Sequence, residues 1–172
     1  RIGMEFPEEF EDIMEVYNRY PFSEIIIHPR LQKDYYQNHP NLDVFGEALK
    51  QSVHPVCYNG DIFTKEDYDT FCGRFPTVER VMLGRGVVTN PGLVREIRTG
   101  QTITTTELKE YHDRLYAGYR EAMGSEKDAL FKMKEVWSYL GKMFPESERE
   151  LKKVRKANRP EEYQEAVRRV FN

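Results

Sequence analysis

The first hundred residues alternate between short apolar runs and amphipathic stretches of helical period. Phe10, Ile13, Met14, Val16 and Tyr17 form an apolar stripe at helical spacing. Pro7, Glu8 and Glu9 before it suit a first helical turn. This helix is expected to stop near Tyr20, ahead of Pro21. Residues 23–28 read as a strand. Its Ile25-Ile26-Ile27 run is apolar on both faces, which predicts a central strand covered on both sides. His28-Pro29-Arg30 ends it, and residues 31–40 read as a loop with a short irregular helix. Residues 41–52 predict a helix with Leu42, Phe45 and Leu49 on one face. Residues 53–58 predict a strand with Val53, Val56 and Cys57 as core candidates, Pro55 marking its start. The loop Asn59-Gly60-Asp61 follows. Thr64 and Asp67 have the spacing of a capping box at the head of a helix that packs Tyr68, Phe71 and Cys72 and ends at Gly73. Residues 78–83 predict a strand and Gly84-Arg85-Gly86 a loop. A helix over 91–98 follows, with Asn90 as its cap and Pro91 in its first position.

Counting Arg1-Ile2-Gly3 as the tail of another strand, strand ends fall at Gly3, His28, Asn59 and Gly84. Their spacings are those of successive βα units. Four such units are half of a (β/α)8 barrel, and a whole one takes roughly 250 residues. The period changes after Thr102. Helices are expected over 104–123, with Leu108, Tyr111, Leu115 and Tyr119 on one face, then over 125–140, 146–157 and 160–171. The reading is an α/β part over 1–101 followed by a small all-helical bundle over 102–172.

Composition narrows the class. The 172 residues are 39% hydrophobic and 32% charged, with a mean hydropathy of -0.74. The longest apolar runs, such as 23–27, are far too short to cross a bilayer, so no membrane association is expected. Two cysteines, Cys57 and Cys72, make no disulfide framework and fit the reducing cytoplasm. The net charge of -3 is unevenly spread. Between 149 and 159, Arg149, Lys152, Lys153, Arg155, Lys156 and Arg159 face only Glu150. Such a run is either a local polyanion site or a solvated helix face.

Chemistry is signposted at the strand ends. Asn59-Gly60 and Gly84-Arg85-Gly86 can present backbone N–H groups to a phosphate, Arg85 adding a bidentate donor. The alternative is two ordinary turns that need glycine for geometry. His28 and Arg30 leave a buried strand where a ligand can be met; the alternative for His28 is a structural ring hydrogen-bonded to backbone. Asp61 reads as a helix cap rather than a ligand contact. His54 and His112 read as structural. No His or Cys pair has metal-ligand spacing, and the GxxxxGK and GxGxxG phosphate motifs are both absent.

Four of these segments, in this order, resemble the C-terminal half of a tRNA-dihydrouridine synthase. Arg1-Ile2-Gly3 resembles the end of the family's fifth-strand motif. Ile26-Ile27-His28-Pro29-Arg30-Leu31-Gln32 resembles its sixth-strand His-x-Arg segment. Asn59-Gly60-Asp61-Ile62 resembles the seventh-strand motif, and Met82-Leu83-Gly84-Arg85-Gly86 with Asn90-Pro91 the eighth. Phe131-Lys132-Met133-Lys134 and Tyr139 resemble the C-terminal helical domain. The resemblance implies half of a TIM barrel with a helical tRNA-binding domain. It further implies reduction of uridine to 5,6-dihydrouridine in tRNA, with FMN reduced by NADPH or NADH. His28, Arg30, Asn59, Gly60, Gly84, Arg85 and Gly86 are the implied cofactor residues, His28 and Arg30 lying near the isoalloxazine or the uracil. Lys132, Lys134, Arg149, Lys152, Lys153, Arg155 and Lys156 are the candidates for tRNA phosphates. The family's proton-donating cysteine lies in the other half of the barrel, and neither Cys57 nor Cys72 matches it. The chain alone is therefore expected to be inactive, and pairing of two half-barrels into a homodimer is a further expectation. Two alternatives stay open: a flavin- or phosphate-binding barrel enzyme acting on a small molecule, and a non-catalytic RNA-binding module.

Overall fold

In the computed structural model, which describes residues 1–172, helices and strands alternate over the first half of the chain and helices alone follow. The order is α1 (Glu9–Tyr17), β1 (Ile25–Ile27), α2 (Leu42–Gln51), β2 (Val56–Asn59), α3 (Lys65–Arg74), β3 (Arg80–Met82), α4 (Arg85–Thr89), α5 (Leu93–Thr99), α6 (Thr105–Met123), α7 (Glu126–Leu140), α8 (Glu148–Lys156) and α9 (Pro160–Phe171). The chain divides into two compact units, Arg1–Gly84 and Arg85–Asn172.

In the first unit β1, β2 and β3 form a parallel sheet in that order, the helix between each pair making the crossover that parallel strands need. Ile27 stands level with Tyr58, and Tyr58 with Val81. Side chains alternate across a strand, so Ile25, Ile27, Val56 and Tyr58 share one face, and all four are buried. The aromatics of α2 and α3 close over that face. The Tyr58 ring stacks on Phe71 with centroids 3.9 Å apart. Phe45 meets Tyr58 edge-on at 5.0 Å and Phe75 at 5.1 Å. The opposite face corrects the expectation of a strand covered on both sides: Ile26 is 52% exposed and Met82 47%. Three successive isoleucines made β1 look two-faced, but the packed aromatics lie on the Tyr58 side alone.

Arg1–Gly3 is not assigned as a strand, yet it runs beside the chain that leaves β1. Ile2 N donates to Arg30 O at 3.1 Å and Gln32 N to Gly3 O at 2.9 Å, and Ile2 is buried. The Thr64–Asp67 capping box forms at the head of α3. Gly73 lies within α3 rather than ending it.

The second unit begins earlier than the expected residue 102, because α4 packs against α7. Arg85 and Gly86 open α4 and are helical rather than part of a loop. α5 starts at Leu93, two residues later than expected. Its N-cap is Gly92 rather than the expected Asn90, and no side chain caps it; Asn90 instead holds the turn before the helix, its Oδ1 accepting from Gly92 N at 2.9 Å. Gly92 is fixed by packing, since a Cβ there would come within 2.7 Å of the Ile103 side chain. Gly100 and Gly124 end α5 and α6 in the left-handed region, at φ 75° and 62°. Thr104 and Glu107 form a full capping box on α6, and Pro160 takes the first turn of α9.

Leu108, Leu130, Met133, Trp137, Leu140, Leu151, Val154 and Tyr163 build the core of this unit. Through it runs a buried polar relay. Trp137 Nε1 donates to Tyr163 Oη at 2.8 Å. The Tyr163 hydroxyl lies 2.7 Å from His112 Nε2, and His112 Nδ1 lies 2.9 Å from Asp113 Oδ1. A carboxylate only accepts, so Nδ1 carries the proton and Nε2 accepts from the phenol. The indole, phenol and imidazole of this relay are thus all paired. Burial lowers the His112 pKa, against the opposing pull of Asp113, and raises that of the Tyr163 phenol.

Candidate functional site

At the C-terminal end of the sheet the strands bring His28, Arg30, Asn59 and Asp61 together. Arg30 lies three residues beyond Ile27, and Asp61 three beyond Tyr58, its level partner. The two side chains form an ion pair through both guanidinium Nη atoms. This replaces the expected helix-cap role of Asp61; the cap is Thr64, with Asp67 its partner. Arg30 is only 1% exposed. Its Nε donates to Asn38 O at 2.6 Å and its Nη1 to His28 Nε2 at 3.1 Å.

His28 is half-buried. Its ring stacks on Tyr36 with centroids 6.3 Å apart at 29°. The guanidinium carbons of Arg1 and Arg30 stand 5.4 Å and 6.0 Å from the Tyr36 ring. Burial, with Arg1 and Arg30 beside it, pushes the His28 pKa down to about 4, outweighing the opposing charge of Asp61. His28 is therefore neutral at pH 7. Burial raises the Tyr58 phenol to about 12.

The two glycines of this rim differ. A Cβ on Gly60 would collide with the Tyr58 ring, so Gly60 answers to its own neighbour. A Cβ on Gly84 would meet nothing within 4 Å, and Gly84 is exposed. Asn59 Nδ2 donates to Met82 O at 2.8 Å, tying β2 to β3. A cavity of about 480 Å³ opens beside the rim, lined among others by His39, Leu42, Tyr58, Asp61 and Glu66. In the second unit, Arg85 is half-buried and Gly86 buried.

The rim thus offers a neutral imidazole, amide groups and open space at Gly84. Arg30 has no exposed edge to spend on an anion. The cation that the resemblance assigns to the cofactor phosphate is Arg85. No group of three or more His, Cys, Asp or Glu side chains could hold a metal. Cys57 is buried, and burial beside Glu24 raises its pKa, which makes it a poor proton donor or nucleophile.

The basic candidates of the second unit divide by position. On α8, Leu151 and Val154, with Ala157 just past its end, point into the core and leave Arg149, Lys152, Lys153, Arg155 and Lys156 exposed. Arg155 and Lys152 share Glu148, at 2.9 Å and 4.0 Å. Lys153 and Lys156 line a groove of about 440 Å³ with Arg169, Glu162 and Glu165. On α7, Lys132 pairs with Glu135 at 3.1 Å and Lys134 is half-buried. Two participants escaped the sequence reading: Asp61 as the partner of Arg30, and Tyr36 as the ring beside His28. The first was accessible through register, since both residues stand at the same offset past level strand positions. The second carried no local signal.

No helix is long and apolar enough to cross a membrane. Residues 1–171 match the family described as dihydrouridine synthase (Dus). The chain is 28% identical over 161 residues to a tRNA-dihydrouridine(16) synthase of Shewanella oneidensis, covering 90% of this chain and 49% of that protein. It is 26% identical over 152 residues to a tRNA-dihydrouridine(16) synthase of Aquipseudomonas alcaligenes, covering 86% and 48%. A protein of the same name from Pseudomonas syringae pv. tomato is 30% identical over 79 residues, 46% of this chain and 25% of that one. The chain spans about half the length of the first two relatives.

Proposed function

The chain belongs to the dihydrouridine synthase family, and from that premise we propose that it is the C-terminal part of an enzyme that reduces uridine in tRNA to 5,6-dihydrouridine. The observation that carries this reading is the family match along residues 1–171, with the family-like strand ends gathered on one rim of the sheet. In this reading the first unit supplies later strands of a TIM barrel, and its exposed Ile26 and Met82 face is the barrel interior. The helices from residue 102 onward bind tRNA, the α8 cations holding phosphates and so positioning the substrate rather than reading its sequence. All three relatives are named for position 16, and that uridine is the proposed target.

The cofactor in this reading is FMN, reduced by NADPH or NADH. When bound, it supplies hydride to the uracil ring. This chain's residues bind and orient. His28 offers a neutral N–H beside the flavin or the base, Asn59 and the Gly84 turn border the ring, and Arg85 and Gly86 meet the phosphate. The proton donor that the resemblance implies is a cysteine of the other half of the barrel, which neither Cys57 nor Cys72 matches. The chain alone is then inactive in dihydrouridine formation. Its own binding functions remain testable. FMN fluorescence quenching and a tRNA gel shift, each run on the purified chain, are the measurements. Salt-sensitive tRNA binding together with FMN binding supports the reading. FMN binding without tRNA binding favours a small-molecule flavoenzyme, and tRNA binding without FMN favours an RNA-binding module.

A further inference from the structure

We propose that Arg30 is a positioning residue: its buried guanidinium, fixed by Asp61 and the Asn38 carbonyl, locks the His28 imidazole into one tautomer and directs the ring's only N–H to the ligand side at Nδ1. This inference rests on the proposed function, in which His28 lines the flavin and uracil site. It departs from the role that resemblance gave Arg30, a direct contact to substrate or flavin.

A guanidinium carries five N–H groups and no acceptor. Nε–H goes to Asn38 O. Nη1 serves both His28 Nε2 and Asp61 Oδ1. Nη2 serves Asp61 Oδ2. Four of the five N–H groups are thus spent, and at 1% exposure the fifth, on Nη2, is covered as well. Because the group facing His28 Nε2 can only donate, Nε2 must be the unprotonated nitrogen. The one ring proton of the neutral imidazole then sits on Nδ1.

Asp61 makes the arrangement rigid. A lone buried cation would be strongly disfavoured, whereas a two-pronged carboxylate pair holds it in one plane. Pairing through level positions of β1 and β2 places this clamp where both strands end. The charged groups around the ring are Arg30, Arg1 with the amino group of residue 1, and Asp61; Tyr36 covers a ring face. Protonating Nε2 would set two cationic donors against each other and break the Arg30 hydrogen bond. The lock therefore adds to burial and to Arg1, the larger causes, in keeping His28 neutral. A ring so held presents a fixed, uncharged N–H, suited to a carbonyl oxygen of the isoalloxazine or the uracil.

The test is nitrogen-15 NMR of the histidine rings in the 172-residue chain without ligand. His28 is assigned by loss of its signal in His28→Gln. The expected wild-type ring is protonated at Nδ1 and stays neutral down to about pH 4. Arg30→Lys keeps the charge but loses the fork. Its His28 should still titrate below 6.5 but exchange between tautomers. Arg30→Met should return the titration toward 6.5 as well. A wild-type ring that titrates near 6.5, or that carries its proton on Nε2, overturns the proposal without any variant having to fold. An unchanged ring in a folded Arg30→Met chain overturns it equally. FMN binding is scored separately by fluorescence. A locked ring with no FMN binding defeats the assignment of the site, not the lock; an averaging ring in an FMN-binding chain does the reverse.

Discussion

Replacing Tyr163 by Phe removes one oxygen from the helical unit and orphans two buried groups. Trp137 Nε1–H loses its acceptor at 2.8 Å, and His112 Nε2 loses its donor at 2.7 Å. Trp137, Tyr163 and His112 are 1%, 0% and 2% exposed, so water cannot replace the phenol. An unsatisfied buried polar group costs about 1–3 kcal/mol. The indole N–H has no other partner and bears the full penalty. His112 keeps Asp113 on its other nitrogen, so its loss falls at the low end. The sum is roughly 2–4 kcal/mol, with little packing lost because both rings fill the same space. The assay is urea unfolding followed by Trp137 emission, the chain's one tryptophan, with far-UV circular dichroism as a second probe. Tyr111→Phe, at a half-buried position of α6, is the control and should change little. A Tyr163→Phe loss below about 0.5 kcal/mol, the range of ordinary surface changes, would refute the claim that this relay of hydrogen bonds is fully formed and dry.

His112 also sets a pH dependence. Its folded pKa lies below the ordinary 6.5, so above that value its contribution to stability is fully present. As pH falls below 6.5 the unfolded chain takes up a proton that the folded ring resists, and stability declines. Urea midpoints measured from about pH 7.5 to about pH 5.5 should fall, and His112→Gln should flatten the decline. At the rim, Gly60→Ala pushes a methyl into Tyr58 and should destabilise by about 1–3 kcal/mol whether or not flavin binds. Gly84→Ala meets no neighbour and should leave the thermal midpoint unchanged while weakening FMN, as read by fluorescence titration. Lys153→Ala with Lys156→Ala should weaken tRNA binding in a gel shift and make its logarithmic salt dependence shallower by roughly 0.7–0.9 for each phosphate the lysines neutralise.

Local signals reached far along this chain. The capping box at Thr64 and Asp67, the start of α9 at Pro160, the three strand positions and the long helices all follow from neighbours within four residues, where propensity and capping decide. What stayed hidden depends on partners distant in sequence. Asp61 follows a glycine and precedes a helix, so its local pattern is that of a cap; its ion pair with Arg30 exists only because β1 and β2 align Ile27 with Tyr58. The triple isoleucine of β1 reported hydrophobicity on both faces but not that aromatics would cover one. On α6, the apolar positions Leu108, Tyr111, Leu115 and Tyr119 marked the inward face, yet its centre is His112 and Tyr116. A histidine enters such a core only because Tyr163, 51 residues away, completes its hydrogen bonding.

That this chain is part of an enzyme making dihydrouridine in tRNA is tested most directly on the full product of its gene. The protein is given FMN, NADPH and unmodified tRNA, and the RNA product is sequenced by mass spectrometry. The expected product carries a uridine at position 16 heavier by two hydrogens, and it is lost when the reductant is omitted. Turnover of NADPH with every uridine unchanged would contradict the proposed function.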